Sequence, residues 1–145
     1  MEIKKLNIDD IQFKNLALEF AEESSTDLNF SHFHDSWAKL ESTGMGKSIG
    51  AYIDNSLIGI LGILIHNDLF SGKTSCNETF WFVTKDHRKS TAGSRLFKKM
   101  HEMCKEYGCK YINVAHFEGL GAEAIERFYL KSGFDNFERF YRKSI

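Results

Sequence analysis

The fold of this chain is decided by the stretch FWFVTKDHRKSTAGSRLFKK, which occupies residues 80–99. The stretch begins with apolar residues typical of a strand, continues with a basic segment that contains small residues, and ends with apolar residues at helical spacing. A helix that starts directly after a strand directs its N-terminal N–H groups at one point, and such a point binds anions, commonly a pyrophosphate. The sequence therefore predicts an anion site just before Ser94.

Composition and charge narrow the classes of function. The chain has 145 residues, a length that predicts a single domain, residues 1–145. Its formal net charge of −1 excludes the overall basic field that favours binding of nucleic acid. Its longest apolar run, residues 57–65, is interrupted by glycines and is too short to span a membrane. The three cysteines show no Cys-x-x-Cys spacing, and no apolar signal core follows the N-terminus, so we expect reduced thiols and a cytoplasmic protein.

Hydrophobic periodicity and turn residues divide the chain into strands and helices. Strands are predicted at residues 3–8, 48–52, 57–65, 76–83 and 111–115, with one or two more between 134 and 142. Helices are predicted after a cap at Asp9 or Asp10, after a cap at Ser31, and over residues 94–107 and 119–132. The order β-α-α-β-β-β-α-β-α-β(β) predicts an α/β (α+β) fold, in which one mixed sheet carries helices on both faces.

Two motifs resemble the GNAT superfamily of acyl-CoA-dependent N-acetyltransferases. The signature (Gln/Arg)-x-x-Gly-x-(Gly/Ala), which follows that family's fourth strand, corresponds to Arg88, Thr91 and Gly93, with Thr91 at the position of the first glycine. The segment FYLKSGF, residues 128–134, resembles the family's last helix and the turn after it. The segment that carries this signature departs from the family pattern at Thr91, and in this it is similar to a subgroup of the family met in phage and environmental genomes. The resemblance covers nearly the whole chain and implies a GNAT-like, mostly antiparallel central sheet of six to seven strands.

The resemblance implies that the chain binds acetyl-CoA or CoA as a co-substrate and needs no metal. The diphosphate would lie on backbone N–H groups of the turn, and the dipole of the following helix would add attraction. The Arg88 side chain would neutralise phosphate charge, and the N–H of Val83 would polarise the thioester carbonyl. The implied donor-binding residues are Val83, Arg88, Lys89, Ser90, Thr91, Ala92, Gly93 and Ser94.

Two side chains are candidates for proton transfer. Tyr129 has the position of the family's general acid, which protonates the departing sulfur; the alternative is a ring that packs under C-terminal strands. Because Phe128 lies beside it, one of the two faces away from the core, and we expect that residue to be Tyr129. Glu78 is the candidate base, on the same strand face as Phe80 and Phe82, with a pKa raised by burial; the alternative is a salt bridge to a neighbouring Lys or Arg.

The acceptor site is predicted at the two early helices and the loop between them. Phe30, Phe33 and Trp37 are candidate lining residues; the alternative for Phe33 and Trp37, at their helical spacing, is the core. His32 and His34 point to different faces of a helix, so they do not chelate a metal together. We expect the acceptor to be the amine of a small molecule or a peptide. Related folds often pair through their C-terminal strands, which makes a homodimer a further expectation.

These observations favour direct transfer of an acetyl group from acetyl-CoA to an amine. A covalent enzyme intermediate is not expected, because no cysteine stands in a Cys–His motif. A non-catalytic acyl-CoA-binding module or sensor is the alternative, since the loop is degenerate. A small α/β protein that binds another phosphate ligand is the third interpretation. Neither a nucleic acid nor a membrane is expected as a partner.

Overall fold

The computed structural model describes residues 1–119 and 121–145. Within them the chain forms five strands, four α-helices and one short 3-10 helix at Lys85–His87. The strands are β1 (Glu2–Lys5), β2 (Gly46–Ile53), β3 (Ser56–Asn67), β4 (Thr74–Val83) and β5 (Tyr111–Asn113). The helices are α1 (Ile11–Ser24), α2 (Phe30–Ser42), α3 (Ala92–Glu106) and α4 (Ala122–Lys131).

The five strands form one sheet in the order β1-β2-β3-β4-β5. Pairing is antiparallel from β1 to β4, and β5 alone runs parallel to its neighbour, so the predicted mixed and mostly antiparallel sheet is confirmed. The β2–β3 hairpin turns at Asp54 and Asn55, whose φ angles are 48° and 65°. A two-residue turn between twisted strands requires positive φ at both central positions, and Asn and Asp tolerate it well.

The predicted six to seven strands are not matched, because the sheet within the described residues has five. Residues 134–145 of the described chain contain no strand, so the predicted element order is not matched after α4. A strand needs a partner for its backbone and a cover for its apolar face. In this segment Phe137, Phe140 and Tyr141 are 80% or more exposed, so the aromatic residues that suggested strands are not buried.

Helices cover both faces of the sheet, as predicted. Two consecutive residues of β4 demonstrate this, because neighbouring side chains of a strand point to opposite faces. Phe80 contacts Trp37 of α2 with ring centroids 4.9 Å apart, whereas Trp81 stacks on Phe97 of α3 at 5.2 Å. The α1–α2 side holds an aromatic core around Phe13, which is completely buried.

Polar caps set where the first two helices begin. The Asp10 carboxylate accepts a hydrogen bond from the backbone N–H of Gln12 at 2.9 Å, which confirms one of the two predicted caps of α1. The cap of α2 is Asn29, whose side chain accepts from the N–H of His32 at 3.0 Å, and not the predicted Ser31. Asn caps a helix as well as Ser does, so composition alone did not distinguish the two positions.

The described chain divides into two compact units, Met1–Ala115 and His116–Ile145. The whole sheet and helices α1 to α3 belong to the first unit, and α4 belongs to the second. Among the described helices, none is long and apolar enough to cross a bilayer.

Candidate active site

Along its second half, one edge of β4 has no strand neighbour among the described residues. The parallel pairing with β5 covers only Ser75–Asn77, opposite Tyr111–Asn113, whereas β4 continues to Val83. From Glu78 onward, therefore, no described strand covers this edge. An open strand edge presents N–H and C=O groups that can bind another molecule.

The backbone of Val83 points towards this open edge. The N–H of Thr84 donates to the carbonyl of Ile58 in β3 at 3.0 Å, and Val83 itself is opposite Gly59. Because hydrogen-bonding residues alternate along an antiparallel pair, the N–H and C=O of Val83 point away from β3. The carbonyl accepts a hydrogen bond from the Nε of Arg88 at 3.2 Å. The N–H has the orientation that the predicted role in polarising a thioester carbonyl requires.

The turn after β4 presents backbone N–H groups at the start of α3. The helix begins at Ala92, two residues earlier than predicted, and its first internal bond runs from the N–H of Arg95 to the carbonyl of Thr91 at 3.0 Å. Thr91 is the N-cap residue, yet its side chain makes no capping hydrogen bond. The N–H groups of Gly93 and Ser94 therefore have no acceptor within residues 1–119 and 121–145.

Ser90 holds the turn in shape. Its N–H donates to the carbonyl of His87 at 2.9 Å, its hydroxyl donates to the same carbonyl at 2.6 Å, and the hydroxyl accepts from the N–H of Ala92 at 3.2 Å. Six consecutive amides, those of residues 89–94, are predicted to bind phosphate. Two of them, the N–H groups of Ser90 and Ala92, already donate hydrogen bonds within the turn. The amides of Lys89 and Thr91, like those of the first helical turn, make no hydrogen bond in the part of the chain that the structure describes.

Gly93 lies directly beside the end of β4. A Cβ atom at this position would lie 3.5 Å from Cζ2 of Trp81 and 3.8 Å from Cγ2 of Val83, which are ordinary contact distances. An alanine would therefore fit, and neither backbone conformation nor crowding requires glycine here. The contacts show that the first turn of α3 packs against the side chains of Trp81 and Val83 at the end of β4.

The Arg88 side chain is engaged by protein groups. Besides its bond to Val83, it forms an ion pair through Nη2 with Glu23 of α1, and its guanidinium lies 5.4 Å from the ring centroid of Phe82. The predicted contact of Arg88 with a phosphate stays a prediction. Sequence reasoning missed Glu23, although Glu19 and Glu23 are four residues apart on α1 and therefore share one helix face.

Glu78 lies where β4 and β5 part. Its carboxylate accepts a hydrogen bond from the N–H of Ala115 at 3.5 Å. Burial raises the pKa of Glu78 from its ordinary value of 4.5 to about 7, and the Ala115 N–H opposes this only in part. The alternative of a salt bridge finds no support, since the ion pairs within the described residues do not include Glu78. A pKa near neutrality suits a general base.

A bulge in β4 changes the orientation predicted for Glu78. Phe80 pairs with Gly62 and Glu78 pairs with Ile63, so Thr79 is an extra residue on this strand. An extra residue interrupts the alternation of side chains. The prediction that Glu78 shares a face with Phe80 by simple alternation is therefore wrong.

Tyr129 belongs to the second unit and is buried. Its ring centroid lies 5.8 Å from that of Phe134, 6.1 Å from that of Phe128 and 6.5 Å from that of His116. Tyr129 is the buried member of the Phe128–Tyr129 pair, so the prediction that it faces away from the core is wrong. The chain turns back after α4, where the N–H of Phe134 donates to the carbonyl of Tyr129 at 3.1 Å. The ring of Phe134 packs against that of Tyr129. Its role as general acid stays a prediction.

Other residues considered from the sequence have structural partners. Trp37 is 2% exposed, and Phe30 and Phe33 pack against the same core, so these aromatic residues belong to it. His34 bonds through Nε2 to the Asp9 carboxylate at 2.8 Å, which raises the pKa of the imidazole. No cluster of three metal-binding side chains occurs within the described residues. The three cysteines are free thiols.

The sequence and the fold agree with one family. Residues 11–134 match the model of the acetyltransferase (GNAT) family. Because this match covers most of the chain, the protein belongs to the GNAT acetyltransferase family, whose members use acetyl-CoA as a co-substrate. No curated protein matches the sequence.

Solved structures with this fold are distant in sequence. A ribosomal-protein-alanine N-acetyltransferase from Brucella melitensis biovar Abortus 2308 superposes with a TM-score of 0.77 at 15% identity, with 100% of each chain covered. An acetyltransferase from Trypanosoma brucei has a TM-score of 0.76 at 16% identity, with 99% of each chain covered. An aminoglycoside acetyltransferase from an uncultured soil metagenomic sample has a TM-score of 0.78 at 14% identity, with 99% of this chain and 97% of that chain covered. At these identities the similarity establishes the fold.

Proposed function

We propose that this protein transfers an acetyl group from acetyl-CoA to an amine by direct attack, with no covalent enzyme intermediate. The observation that carries the proposal is the set of amides at the start of α3 that have no acceptor within the described residues, in a turn that follows β4 and the outward-pointing N–H of Val83. A diphosphate needs several N–H donors at one point, and a reacting thioester needs a donor for its carbonyl oxygen. The start of α3 offers donors of the first kind, and the end of β4 offers one of the second.

Backbone N–H groups hold the acetyl-CoA donor. The amides of Lys89, Thr91, Gly93 and Ser94 bind the diphosphate, while Ser90 and Ala92 keep the turn in shape through their mutual bond of 3.2 Å. Each well-formed hydrogen bond to a charged group contributes about 1.5–3 kcal/mol. The helix dipole of α3 and the cationic side chain of Lys89 add attraction for the negative charge.

Three groups act on the reacting atoms. The Val83 N–H polarises the thioester carbonyl and stabilises the oxyanion that forms on it. Glu78, with a pKa of about 7, takes a proton from the acceptor's ammonium group, directly or through a water, so that the neutral amine can attack. Tyr129 gives a proton to the departing thiolate, because phenols and thiols as chemical classes are similar enough in acidity for such a transfer.

The acceptor is the amine of a small molecule or a peptide. Two of the structural neighbours are named for such acceptors, one for the alanine of a ribosomal protein and one for aminoglycosides, which supports the chemical class without selecting a member. The free thiols are compatible with action in the cytoplasm. Assembly as a homodimer remains part of the proposal.

Two substitutions at Gly93 test the donor site. Gly93→Glu places a bulky negative charge beside the diphosphate position and is expected to weaken CoA binding by about 100-fold or more, as the loss of two charge-assisted bonds would. Gly93→Ala is the matched control, because a Cβ atom there meets only ordinary contacts of 3.5 and 3.8 Å. Calorimetric titration with CoA measures both. Equal affinity of the Glu variant and the wild type would show that the donor binds elsewhere.

A non-catalytic acyl-CoA-binding module is the second candidate, because Thr91 replaces the first glycine of the family's loop and adds bulk there. Turnover separates the two functions. Release of free thiol from acetyl-CoA in the presence of a panel of amines, in the wild type and not in Glu78→Gln, supports the enzyme. Tight CoA binding with no thiol release in either protein supports the module.

A further inference from the structure

Helix α1 contacts the donor turn through one acidic and aromatic face. The Glu19 carboxylate accepts a hydrogen bond from the N–H of Lys85 at 3.4 Å. The ring of Phe20 lies 5.7 Å from that of Phe82. The carboxylate of Glu23, one helical turn after Glu19, forms the ion pair with Arg88. Three successive contacts thus join the last two turns of α1 to the end of β4 and the residues after it.

Arg88 is the centre of these contacts. Its Nε donates to the Val83 carbonyl at 3.2 Å, and its Nη2 pairs with Glu23. The Arg88 side chain is 40% exposed and that of Glu23 is 23% exposed. Ion pairs at such exposure stabilise a protein little. The fixed fork of a guanidinium, by contrast, holds its partners in a defined geometry. The ion pair between Glu23 and Arg88 is therefore better suited to orienting the Arg88 side chain than to stabilising the fold.

The bond to Val83 replaces a missing strand neighbour. In an extended strand the N–H and C=O of one residue point to the same side, and those of Val83 point to the edge that β5 does not cover. Arg88 satisfies the carbonyl. The N–H on the same side is left for a ligand. Because Arg88 lies in the turn after β4, whatever holds its guanidinium on this carbonyl also restrains that turn against the end of the strand.

We propose that Glu23 is a positioning residue of the donor site: it holds Arg88 on the Val83 carbonyl and so couples α1 to the turn that binds the donor. This inference rests on the proposed function. The simple expectation is that Arg88 binds a phosphate, in which case the ion pair with Glu23 would compete with the ligand. In the positioning role, Arg88 supports the turn, and that support needs the ion pair. The two roles predict opposite effects when the Glu23 charge is removed.

Glu23→Gln tests the direction of that effect. The positioning role predicts that the Kd for CoA and the KM for acetyl-CoA rise about fivefold, the effect of losing one exposed charge-assisted contact. The thermal midpoint should stay close to that of the wild type, because an ion pair with side chains 40% and 23% exposed contributes little stability. Glu22→Gln is the matched control: it removes the same charge from an exposed neighbour on the same helix, and its CoA affinity should equal that of the wild type.

A double substitution separates positioning from general electrostatics. If Glu23 acts through Arg88, the pair Glu23→Gln with Arg88→Gln binds CoA no more weakly than Arg88→Gln alone. Additive losses would overturn the proposal. Unchanged CoA binding by Glu23→Gln would also overturn it, as would an equal loss of affinity in Glu22→Gln. Tighter CoA binding by Glu23→Gln would overturn it too, and would identify Arg88 as a phosphate ligand that Glu23 restrains.

Amide hydrogen exchange without ligand keeps this test independent of the proposed function. The N–H groups of His87 and Ser90 are bonded within the turn at 2.9 Å each, so their exchange reports its order. Faster exchange of these amides in Glu23→Gln, but not in Glu22→Gln, supports the coupling; equal exchange in both overturns it. Failure of the wild type to bind CoA would contradict the proposed function and leave this result standing on its own.

Discussion

Replacing Glu78 by glutamine should stabilise the protein at alkaline pH and affect it much less in acid. Burial at the point where β4 and β5 part raises the pKa of Glu78 from 4.5 to about 7. In the unfolded chain the carboxyl ionises above pH 4.5, whereas in the folded chain it ionises only near pH 7. The folded state therefore loses stability as the pH rises through this window, and the loss is complete above pH 7. Glutamine has no charge to bury.

The size of the effect follows from the two pKa values. Each pKa unit corresponds to about 1.36 kcal/mol, so the full difference is about 3 kcal/mol. At pH 5 the unfolded carboxyl is already partly ionised, which leaves a change of about 2.5 kcal/mol between pH 5 and pH 8. The glutamine amide keeps an oxygen that can accept from the Ala115 N–H at the site of the 3.5 Å bond. Any constant packing difference between the two side chains cancels, because only the change with pH is compared.

Urea unfolding of the wild type and of Glu78→Gln at pH 5, 6, 7 and 8 measures this quantity. The variant's advantage in the free energy of unfolding should grow with pH and level off above pH 7. Glu106→Gln, at an exposed position at the end of α3, controls for the loss of one negative charge. A difference between wild type and Glu78→Gln that stays constant from pH 5 to pH 8 would refute the raised pKa, and with it the argument for Glu78 as a base at neutral pH.

Two further predictions concern Tyr129 and His34. Tyr129→Phe removes only a hydroxyl and should lower acetyl-CoA turnover by about 100-fold, the usual contribution of a general acid, with little change in the CoA Kd; equal turnover would remove Tyr129 from the mechanism. His34→Gln should destabilise the protein by about 0.5 kcal/mol at pH 5.5 and by less at pH 8.5. The bond to Asp9 raises the pKa of His34, so the imidazolium stabilises the folded state fully below pH 6.5 and loses that effect as the pH rises through the raised value. Urea unfolding at the two pH values tests this, and an equal effect at both would contradict the charged pair.

The part of the site that lies in one continuous stretch could be predicted from the sequence. The strand that ends at Val83 and the helix that follows it are set by local periodicity, and α3 begins only two residues before the predicted position. Membership of the GNAT family and the helices on both faces of the sheet are also confirmed. The roles of Glu78 and Tyr129 remain proposals.

Other features could not be read from local patterns. The bulge at Thr79 depends on the register with β3, and sequence alternation alone placed Glu78 on the wrong face. The aromatic residues near the C-terminus suggested strands, yet residues 134–145 form none in the described structure. Whether such a segment becomes a strand depends on a neighbour that supplies hydrogen bonds and cover, which the segment itself does not specify.

The amino-acid order alone determined the helices and strands up to α4 to within a few residues, and the placing of backbone amides after β4, because these depend on residues a few positions apart. Tertiary structure decided which charges meet and which are buried. Glu23 and Arg88 are separated by 65 positions, and Glu78 and Ala115 by 37. Interactions over such separations exist only after the sheet and helices have packed, since nothing in either local segment encodes the other. The direction of the Val83 N–H and the pKa of Glu78 both follow from that packing.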